Sequence, residues 1–171
     1  MADSSSQNAS YWTTQLNLQP HPEGGYYKEF FRSLATVHRT PYKNTVPIEK
    51  VLQAITSIYY LLEGDDYSGF HRISSDEVWY FHKGAPLHIH VIDKQGAHLV
   101  LELSDTSTGN LSVVVTAGLW FAAEVPSKGF TLVSCAVAPG FEFSEFEMAK
   151  EDNLTALYPQ HRLLFVQLCR S

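Results

Sequence analysis

The sequence predicts an all-β protein, a sandwich or a barrel, built as a single domain. Segments rich in Val, Ile, Tyr, Phe and Trp recur along the chain. Gly, Pro, Asp and Ser interrupt them at intervals of about 8 to 12 residues, which is typical of short antiparallel strands. A chain of 171 residues with 44% hydrophobic residues is long enough to bury one sizeable core. Helical periodicity is weak, so helices are expected to be few and short.

The predicted elements follow from their caps and breakers. Ser10 is a candidate N-cap for a short helix that runs to about Leu18, where two prolines end it. Short helical turns are expected at residues 48–52 and 149–158. The strands predicted after the first helix cover residues 25–32, 54–62, 69–73, 77–82, 87–92, 98–103, 111–116, 119–124 and 130–138.

Composition narrows the classes of partner. Residues 1–9 are predicted to form a disordered tail, and residues 10–171 one domain. The net charge of −6 without a basic cluster argues against nucleic acid, and no segment has the roughly 20 apolar residues that span a membrane. Without a signal peptide, and with Cys135 and Cys169 in apolar runs, the protein is expected to be cytoplasmic. A small molecule or another protein is the expected partner.

One His and one Glu stand at a spacing that points to a metal motif. In residues 64–84, His71 is followed by Glu77, and a glycine stands at each end. This segment resembles the first motif of cupins, G-x5-H-x-H-x3-4-E-x6-G, with the first His one position late. In cupins these two His and the Glu, with a further His from a second motif, hold a metal. Here Ile73 and Phe121 replace the other two His.

The partial motif favours a pocket for an organic molecule. Three protein ligands are the usual minimum for a catalytic metal, so His71 and Glu77 alone predict no metal cofactor. Ile73 and Phe121 would instead supply apolar walls. Glu77 is expected to raise the pKa of the His71 imidazole and suit it to proton transfer. The alternative is a buried His71–Glu77 hydrogen bond with a purely structural role.

A second pair of histidines is interpreted as ordinary strand residues. His88 and His90 share one face of a predicted strand, but no Glu follows at the cupin spacing. Neither a G-x-S-x-G turn nor a glycine-rich phosphate loop occurs, so hydrolase and kinase functions have no support.

Longer segments resemble a family of cupin-like proteins that has no agreed reaction. They are HPEGGYYKEFFRS from His21, SIYYLL from Ser57, FHRISSDEVWYFHKGAPL from Phe70 and CAVAPGFEFSEF from Cys135. The resemblance implies a cupin jelly-roll β-barrel with a few short peripheral helices. It also implies a homodimer, in which the HPEGGYY strand adds to the partner's sheet.

A weaker resemblance links two segments to the epimerases that act on deoxythymidine-diphosphate-4-keto-sugars. Residues 24–29 resemble their R-G-x-F-x-E segment, and residues 68–71 resemble their R-G-x-H segment. The resemblance implies that His71 stands at the position of the general base. It adds Tyr26 and Glu29 to the candidate ligand contacts. Both epimerase arginines are replaced here, and no general acid can be assigned.

Three functions are compatible with these patterns. The first is a module that binds a nucleotide or nucleotide-sugar, with aromatic rings against the ligand and an arginine near its phosphate. The second is a metal-free sugar isomerase or epimerase with His71 as general base and Glu77 as its catalytic partner. The third is a metal-dependent cupin enzyme. The candidate ligand contacts are Tyr26, Glu29, Arg32, His71, Arg72, Ile73, Glu77, Trp79, Trp120 and Phe121.

Overall fold

A computed structural model describes residues 7–39 and 50–170 of the protein. Helix α1, Ala9–Leu16, opens the described chain, and its N-cap is Asn8, whose side chain accepts a hydrogen bond from the Tyr11 backbone N–H at 2.9 Å. Asn caps helices as well as Ser does, so the earlier residue takes the role predicted for Ser10. Ala9, predicted to belong to the tail, is buried, and residues 1–6 of that predicted tail lie outside the described residues.

Strands are the main secondary structure of the described chain. They are β1 (Gln19–Pro20), β2 (Tyr26–Arg32), β3 (Thr36–Arg39), β4 (Lys50–Gln53), β5 (Thr56–Glu63), β6 (Tyr67–Ile73), β7 (Asp76–Gly84), β8 (Leu87–Ile92), β9 (His98–Leu103), β10 (Ser112–Val115), β11 (Trp120–Glu124), β12 (Phe130–Ala138) and β13 (Phe146–Met148). Each predicted strand is present within two residues at either end.

The short elements were predicted less well. The helical turn predicted at residues 48–52 is wrong for residues 50–52, which belong to β4 and pair with β3. Residues 48–49 lie outside the described part of the chain. The acidic helix predicted near the C-terminus is α2, Glu151–Leu157. Helix α3, Arg162–Leu168, was not predicted. Single 3-10 turns cover Phe143–Glu145 and Pro159–His161.

The strands form two large antiparallel sheets and a small one. The first sheet has the order β1-β2-β5-β12-β7-β10, and the second has the order β13-β6-β11-β8-β9, while β3 and β4 form a separate ribbon. The large sheets face each other across a core that takes Tyr60 and Trp79 from the first sheet and Ile89 and Phe121 from the second. This is the predicted jelly roll. In the described part of the chain its sheets are not closed into a continuous hydrogen-bonded barrel.

The helices cover the outer faces of the sheets. Phe165 of α3 packs against Phe70 and Trp120 on the outside of the second sheet, and α1 covers the first. Trp120 and its neighbour Phe121 therefore lie on opposite faces of β11, as strand alternation predicts. Burying a side chain of this size contributes roughly 1.5–3 kcal/mol, so the helices are integral to the domain. Within the described ranges, every helix is too short or too polar to cross a membrane.

Candidate functional site

A cavity of about 310 Å³ lies between the two large sheets. Both sheets and the turns beside them contribute to its walls. The lining residues are His21, Glu23, Tyr27, Glu29, Arg32, Thr56, Ile58, His71, Ile73, Glu77, Cys135, Val137, Phe141, Glu142, Phe143 and Phe146. Aliphatic and phenyl groups form much of the wall, and buried ionisable groups occupy the inner part, which we call the floor: His21, Glu23, His71 and Glu77.

His71 is held rigidly at the floor. It lies on β6, where Phe121 of β11 is its register partner, and its ring centroid is 4.1 Å from that of Phe121. Its Nδ1 lies 2.7 Å from the carbonyl oxygen of Gly69, and its Nε2 lies 3.2 Å from Oε2 of Glu23. Because a carbonyl oxygen only accepts, the hydrogen of this contact belongs to Nδ1, and Nε2 is the atom that faces Glu23.

Glu77 was predicted to be the partner of His71, and this prediction is wrong. β6 and β7 follow each other in the chain but belong to different sheets, so His71 and Glu77 line the same cavity from two sides instead of pairing on adjacent strands. Both ring nitrogens of His71 have other partners. The predicted rise in the pKa of His71 is also wrong, since burial lowers this pKa to about 4.

Glu23, which the sequence did not single out, is the residue beside His71. It lies in the turn between β1 and β2, where Gly24 and Gly25 have positive φ angles of 114° and 68°. The backbone N–H of Glu23 donates to Nδ1 of His21 at 3.3 Å. Burial raises the pKa of the Glu23 carboxyl, against the opposing effect of His21. A Glu inside the HPEGG turn was the available clue, because loops positioned by a rigid scaffold often carry functional groups.

The end of the chain holds this turn in place. The Nε of Arg170 donates to the carbonyl oxygen of Glu23 at 2.7 Å, and its guanidinium also contacts the Asp66 carboxylate and the Tyr67 carbonyl oxygen. Asp66 in turn accepts a hydrogen bond from the Gly25 N–H at 2.7 Å. A side chain at Gly24 would collide with Arg170, so the close approach requires glycine there.

Glu77 and Cys135 complete the inner wall. Burial, and secondly repulsion from Glu23, raises the pKa of Glu77 to about 8. Burial likewise raises the pKa of the Cys135 thiol. A thiol in this state is a poor nucleophile, since the thiolate is the reactive form. The groups that can act on a ligand here are therefore the two imidazoles, of His21 and His71, and the two carboxyls, of Glu23 and Glu77.

The mouth of the cavity carries charged groups that are already paired. Arg32 donates from Nε and one terminal nitrogen to the two carboxylate oxygens of Glu29, both at 2.8 Å. Its other terminal nitrogen donates to Glu142 at 2.8 Å. The guanidinium therefore faces the cavity with most of its donors engaged.

The remaining predicted ligand contacts lie away from the cavity lining. Tyr26 packs in the cluster beneath α1, and Trp79 lies in the central core. Phe121 lies behind the His71 ring. Arg72 lies on the outer face, with its guanidinium 4.4 Å from the centroid of the Trp120 ring. The predicted contacts that do line the cavity are Glu29, Arg32, His71, Ile73 and Glu77.

A jelly roll of two antiparallel sheets with a cavity between them defines this protein as a cupin. The chain belongs to the Cupin superfamily (DUF985), whose family model matches residues 10–149. This confirms the predicted family. The resemblance to the nucleotide-sugar epimerases stays a prediction.

Solved structures agree with this assignment. The chain is 32% identical to a hypothetical protein from Leishmania major, with a TM-score of 0.86 over 96% of this chain and 99% of that one. It is 35% identical to protein SO0799 from Shewanella oneidensis, with a TM-score of 0.83 over 96% and 98%. Oxalate decarboxylase from Bacillus subtilis shares only the fold, at 12% identity and a TM-score of 0.52 over 87% of this chain and 36% of that chain. No curated protein matches the chain.

The residues present do not fit the metal site of cupins. Ile73 and Phe121 occupy two of the ligand positions, and the phenyl ring of Phe121 packs directly on His71. Among residues 7–39 and 50–170, no three His, Cys, Asp or Glu side chains are arranged to hold a metal ion. The chemistry of this site is therefore derived from the protein's own groups.

Proposed function

We propose that the protein binds a small organic molecule in the cavity beside His71. The cavity itself supports this proposal most strongly. The cavity lies between the two large sheets and has a volume of about 310 Å³. Its walls are largely apolar, and a few polar groups converge in it. Small-molecule sites typically have this size and composition. The ring of Phe146, 5.3 Å from that of His71, offers a flat surface for a sugar or an aromatic ring.

A nucleotide-sugar is the ligand class predicted from the sequence. In this proposal the cavity would hold the sugar part and Arg32 at the mouth would contact a phosphate, because Arg32 is the only Lys or Arg among the described lining residues. To bind phosphate, Arg32 would have to exchange Glu29 or Glu142 for it. The free sugar and its nucleotide conjugate are therefore to be compared directly.

Proton transfer to or from a bound carbonyl compound is the second candidate function. The contact between His71 and Glu23 favours it, because a buried imidazole and carboxyl within 3.2 Å can pass a proton between them. General acid–base catalysis contributes roughly 10²- to 10⁴-fold. Incubation of keto-sugars and nucleotide-linked keto-sugars in deuterated water, followed by mass spectrometry, tests it. Absence of deuterium from every substrate would exclude this activity on them.

The binding proposal is tested by thermal shift and calorimetry with monosaccharides, nucleoside mono- and diphosphates and nucleotide-sugars. Val137→Phe, which fills part of the cavity, is the blocking variant, and Val114→Phe on the exposed face of β10 is the matched control. A ligand of the cavity should stabilise the unmodified protein and the control but not the blocked variant. Stabilisation by no compound, or stabilisation that survives Val137→Phe, would refute the proposal.

We also propose that the protein forms the homodimer implied by its family resemblance. Phe30 and Phe31 on β2 are about half exposed, at 49% and 48%, and would be covered by a second copy. Light scattering of the purified chain should give twice the monomer mass, and Phe30→Ser with Phe31→Ser should lower it. A monomer at all concentrations would contradict the proposal.

A further inference from the structure

We infer that Glu23 is a carboxylic acid that donates its proton to Nε2 of a neutral His71, and that the cavity floor takes an uncharged hydroxyl- or carbonyl-bearing ligand. The inference rests on the proposed ligand-binding function. It deepens that function by naming the charge class of the ligand.

The first step is to establish which ring nitrogen of His71 carries a hydrogen. Nδ1 must carry a hydrogen, because its partner 2.7 Å away is the Gly69 carbonyl oxygen. A neutral imidazole has one such hydrogen, which leaves a lone pair on Nε2. The 3.2 Å contact between Nε2 and Glu23 Oε2 therefore contains one further proton. It comes either from a Glu23 carboxylic acid or from a His71 imidazolium.

Burial decides between these two forms. The side chains of His71 and Glu23 are only 4% and 8% exposed, and an ion pair at such a place must lose the hydration of both charges. The neutral pair avoids this cost. Burial lowers the pKa of His71 to about 4 and raises the pKa of Glu23, so both directions place the proton on Glu23.

The charges around Glu23 oppose the effect of burial on its pKa but do not outweigh it. Nδ1 of His21 accepts the Glu23 N–H and lies 3.7 Å from Oε2 of Glu23, and burial lowers the pKa of His21. Arg170 contacts the Glu23 carbonyl oxygen instead of the carboxyl, and Asp66 pairs with its guanidinium. The titratable or polar side chains that influence Glu23 or are influenced by it are His21, Tyr60, Asp66, Ser68, His71, Glu77, Cys135 and Arg170.

The floor therefore offers hydroxyl groups and lone pairs without positive charge. Burial is the largest cause of the rise in the pKa of Glu77 and acts without any charge on Glu23, so it favours the protonated form of this carboxyl as well. A ligand carboxylate or phosphate placed here would lose its hydration without meeting a cation. A ligand hydroxyl or carbonyl would exchange hydrogen bonds with water for hydrogen bonds with these groups. The charged part of a larger ligand would stay at the mouth, beside Arg32.

The proton position is measured without any ligand. NMR of the full chain, labelled with ¹³C and ¹⁵N, should show His71 at pH 7 as the neutral tautomer with hydrogen on Nδ1, and the Glu23 carboxyl carbon as that of an acid. Glu23→Gln assigns the signal and should leave the His71 tautomer unchanged, because an amide N–H also donates. Glu29→Gln at the mouth is the matched control. An imidazolium, or a His71 with hydrogen on Nε2, would overturn the inference and leave the proposed function standing.

The charge class is measured with two fragments of nearly equal shape, benzamide and benzoate. Saturation-transfer NMR should detect benzamide on the unmodified protein and on Val114→Phe but not on Val137→Phe, and benzoate at least tenfold more weakly. Equal or stronger binding of benzoate in the cavity would overturn the inference. If neither fragment binds while Glu23 is an acid, the assignment of the ligand's charge class is overturned and the proton assignment stands, while the proposed function is decided by the sugars and nucleotides named above.

Discussion

The protein contains two networks of histidine and glutamate, one inside the jelly roll and one on its outer face. Inside, His71 has the Gly69 carbonyl on one nitrogen and Glu23 on the other. Outside, His90 has Oε1 of Glu124 3.1 Å from Nε2, and Nε2 of His98 3.0 Å from Nδ1. Both networks therefore contain a contact between an imidazole Nε2 and a carboxyl oxygen, at 3.2 Å inside and 3.1 Å outside.

What differs is the space beside them. In the inner network the imidazole and the carboxyl both line the cavity between the sheets. In the outer network Glu124 lines a pocket at the surface, but His90 and His98 are not part of its lining. The C-terminal part of the chain lies beside them, where Gln167 donates to Glu124 at 3.3 Å and the His161 ring lies 5.8 Å from that of His98. Burial lowers the pKa of His90, and Glu124 acts in the opposite direction. A histidine–glutamate contact is thus a candidate ligand site where its imidazole lines a cavity, as that of His71 does.

The largest effect is expected from removing one histidine of each network. His71→Ala should abolish binding of any ligand found for the cavity and, if a substrate is found, should lower turnover by roughly 10²- to 10⁴-fold. His90→Ala should lower stability but keep ligand binding. Calorimetry and thermal melting of both variants measure this difference. Equal loss of binding in both would remove the distinction between the networks.

The second largest effect is expected to be a dependence of stability on pH that is caused by Glu77. Its pKa rises from the usual 4.5 to about 8 on folding, so its contribution to stability is full below pH 4.5 and is lost as the pH rises towards 8. His71 acts in the opposite sense, since its depressed pKa contributes stability above pH 6.5 that is lost as the pH falls through about 4. Of these two groups, only Glu77 still changes the stability between pH 6.5 and 8, so its contribution should be seen there as a fall.

Glu77→Gln isolates this effect. In urea denaturation, the free energy of unfolding of the variant should rise relative to the unmodified protein by up to about 1.4 kcal/mol per pH unit between pH 4.5 and 8. Glu124→Gln is the matched control, because it makes the same substitution in the outer network. A difference between Glu77→Gln and the unmodified protein that is constant over this range would show that Glu77 ionises normally in the folded state.

The sequence predicts the central strands well because alternation and breakers are local properties. It fails where a segment is too short to show a period. Residues 50–53 form a strand in which Leu52 is buried and Val51 is 55% exposed, a pattern that four residues cannot distinguish from a helical turn. The run RLLFVQL of α3 shows no clear helical face, and its helix is stabilised by packing of Phe165 in the outer cluster.

The site is predicted only in part, for a related reason. His71 and Glu77 follow from a motif within one stretch of chain. Glu23 reaches His71 from a turn far away in the sequence, and Arg170 at the other end of the chain holds that turn. The sign of the pKa change at His71 depends on burial, which a motif does not report. The wrong partner for His71 and the wrong direction of its pKa change therefore both concern tertiary contacts.

A smaller effect distinguishes the neutral Glu23–His71 contact from an ion pair. Glu23→Gln retains a donor to Nε2 and should change the free energy of unfolding at pH 7 by less than about 1 kcal/mol. Glu23→Ala leaves Nε2 without its partner and should cost about 1–3 kcal/mol. Urea denaturation of both variants measures the contrast. Equal and large destabilisation by Gln and Ala would indicate a buried ion pair.

The smallest effect is expected at the mouth, where Arg32 pairs with Glu29 and Glu142 at 37% exposure of its side chain. Such pairs contribute roughly 0.2–1 kcal/mol each, so Arg32→Ala should lower stability only slightly. Its effect on binding depends on the ligand. An uncharged ligand held at the floor should bind Arg32→Ala as it binds the unmodified protein, whereas a nucleotide-sugar whose phosphate contacts Arg32 should bind the variant more weakly. Calorimetry with a free sugar and its nucleotide conjugate separates the two, because only the conjugate extends from the uncharged floor to the charged mouth.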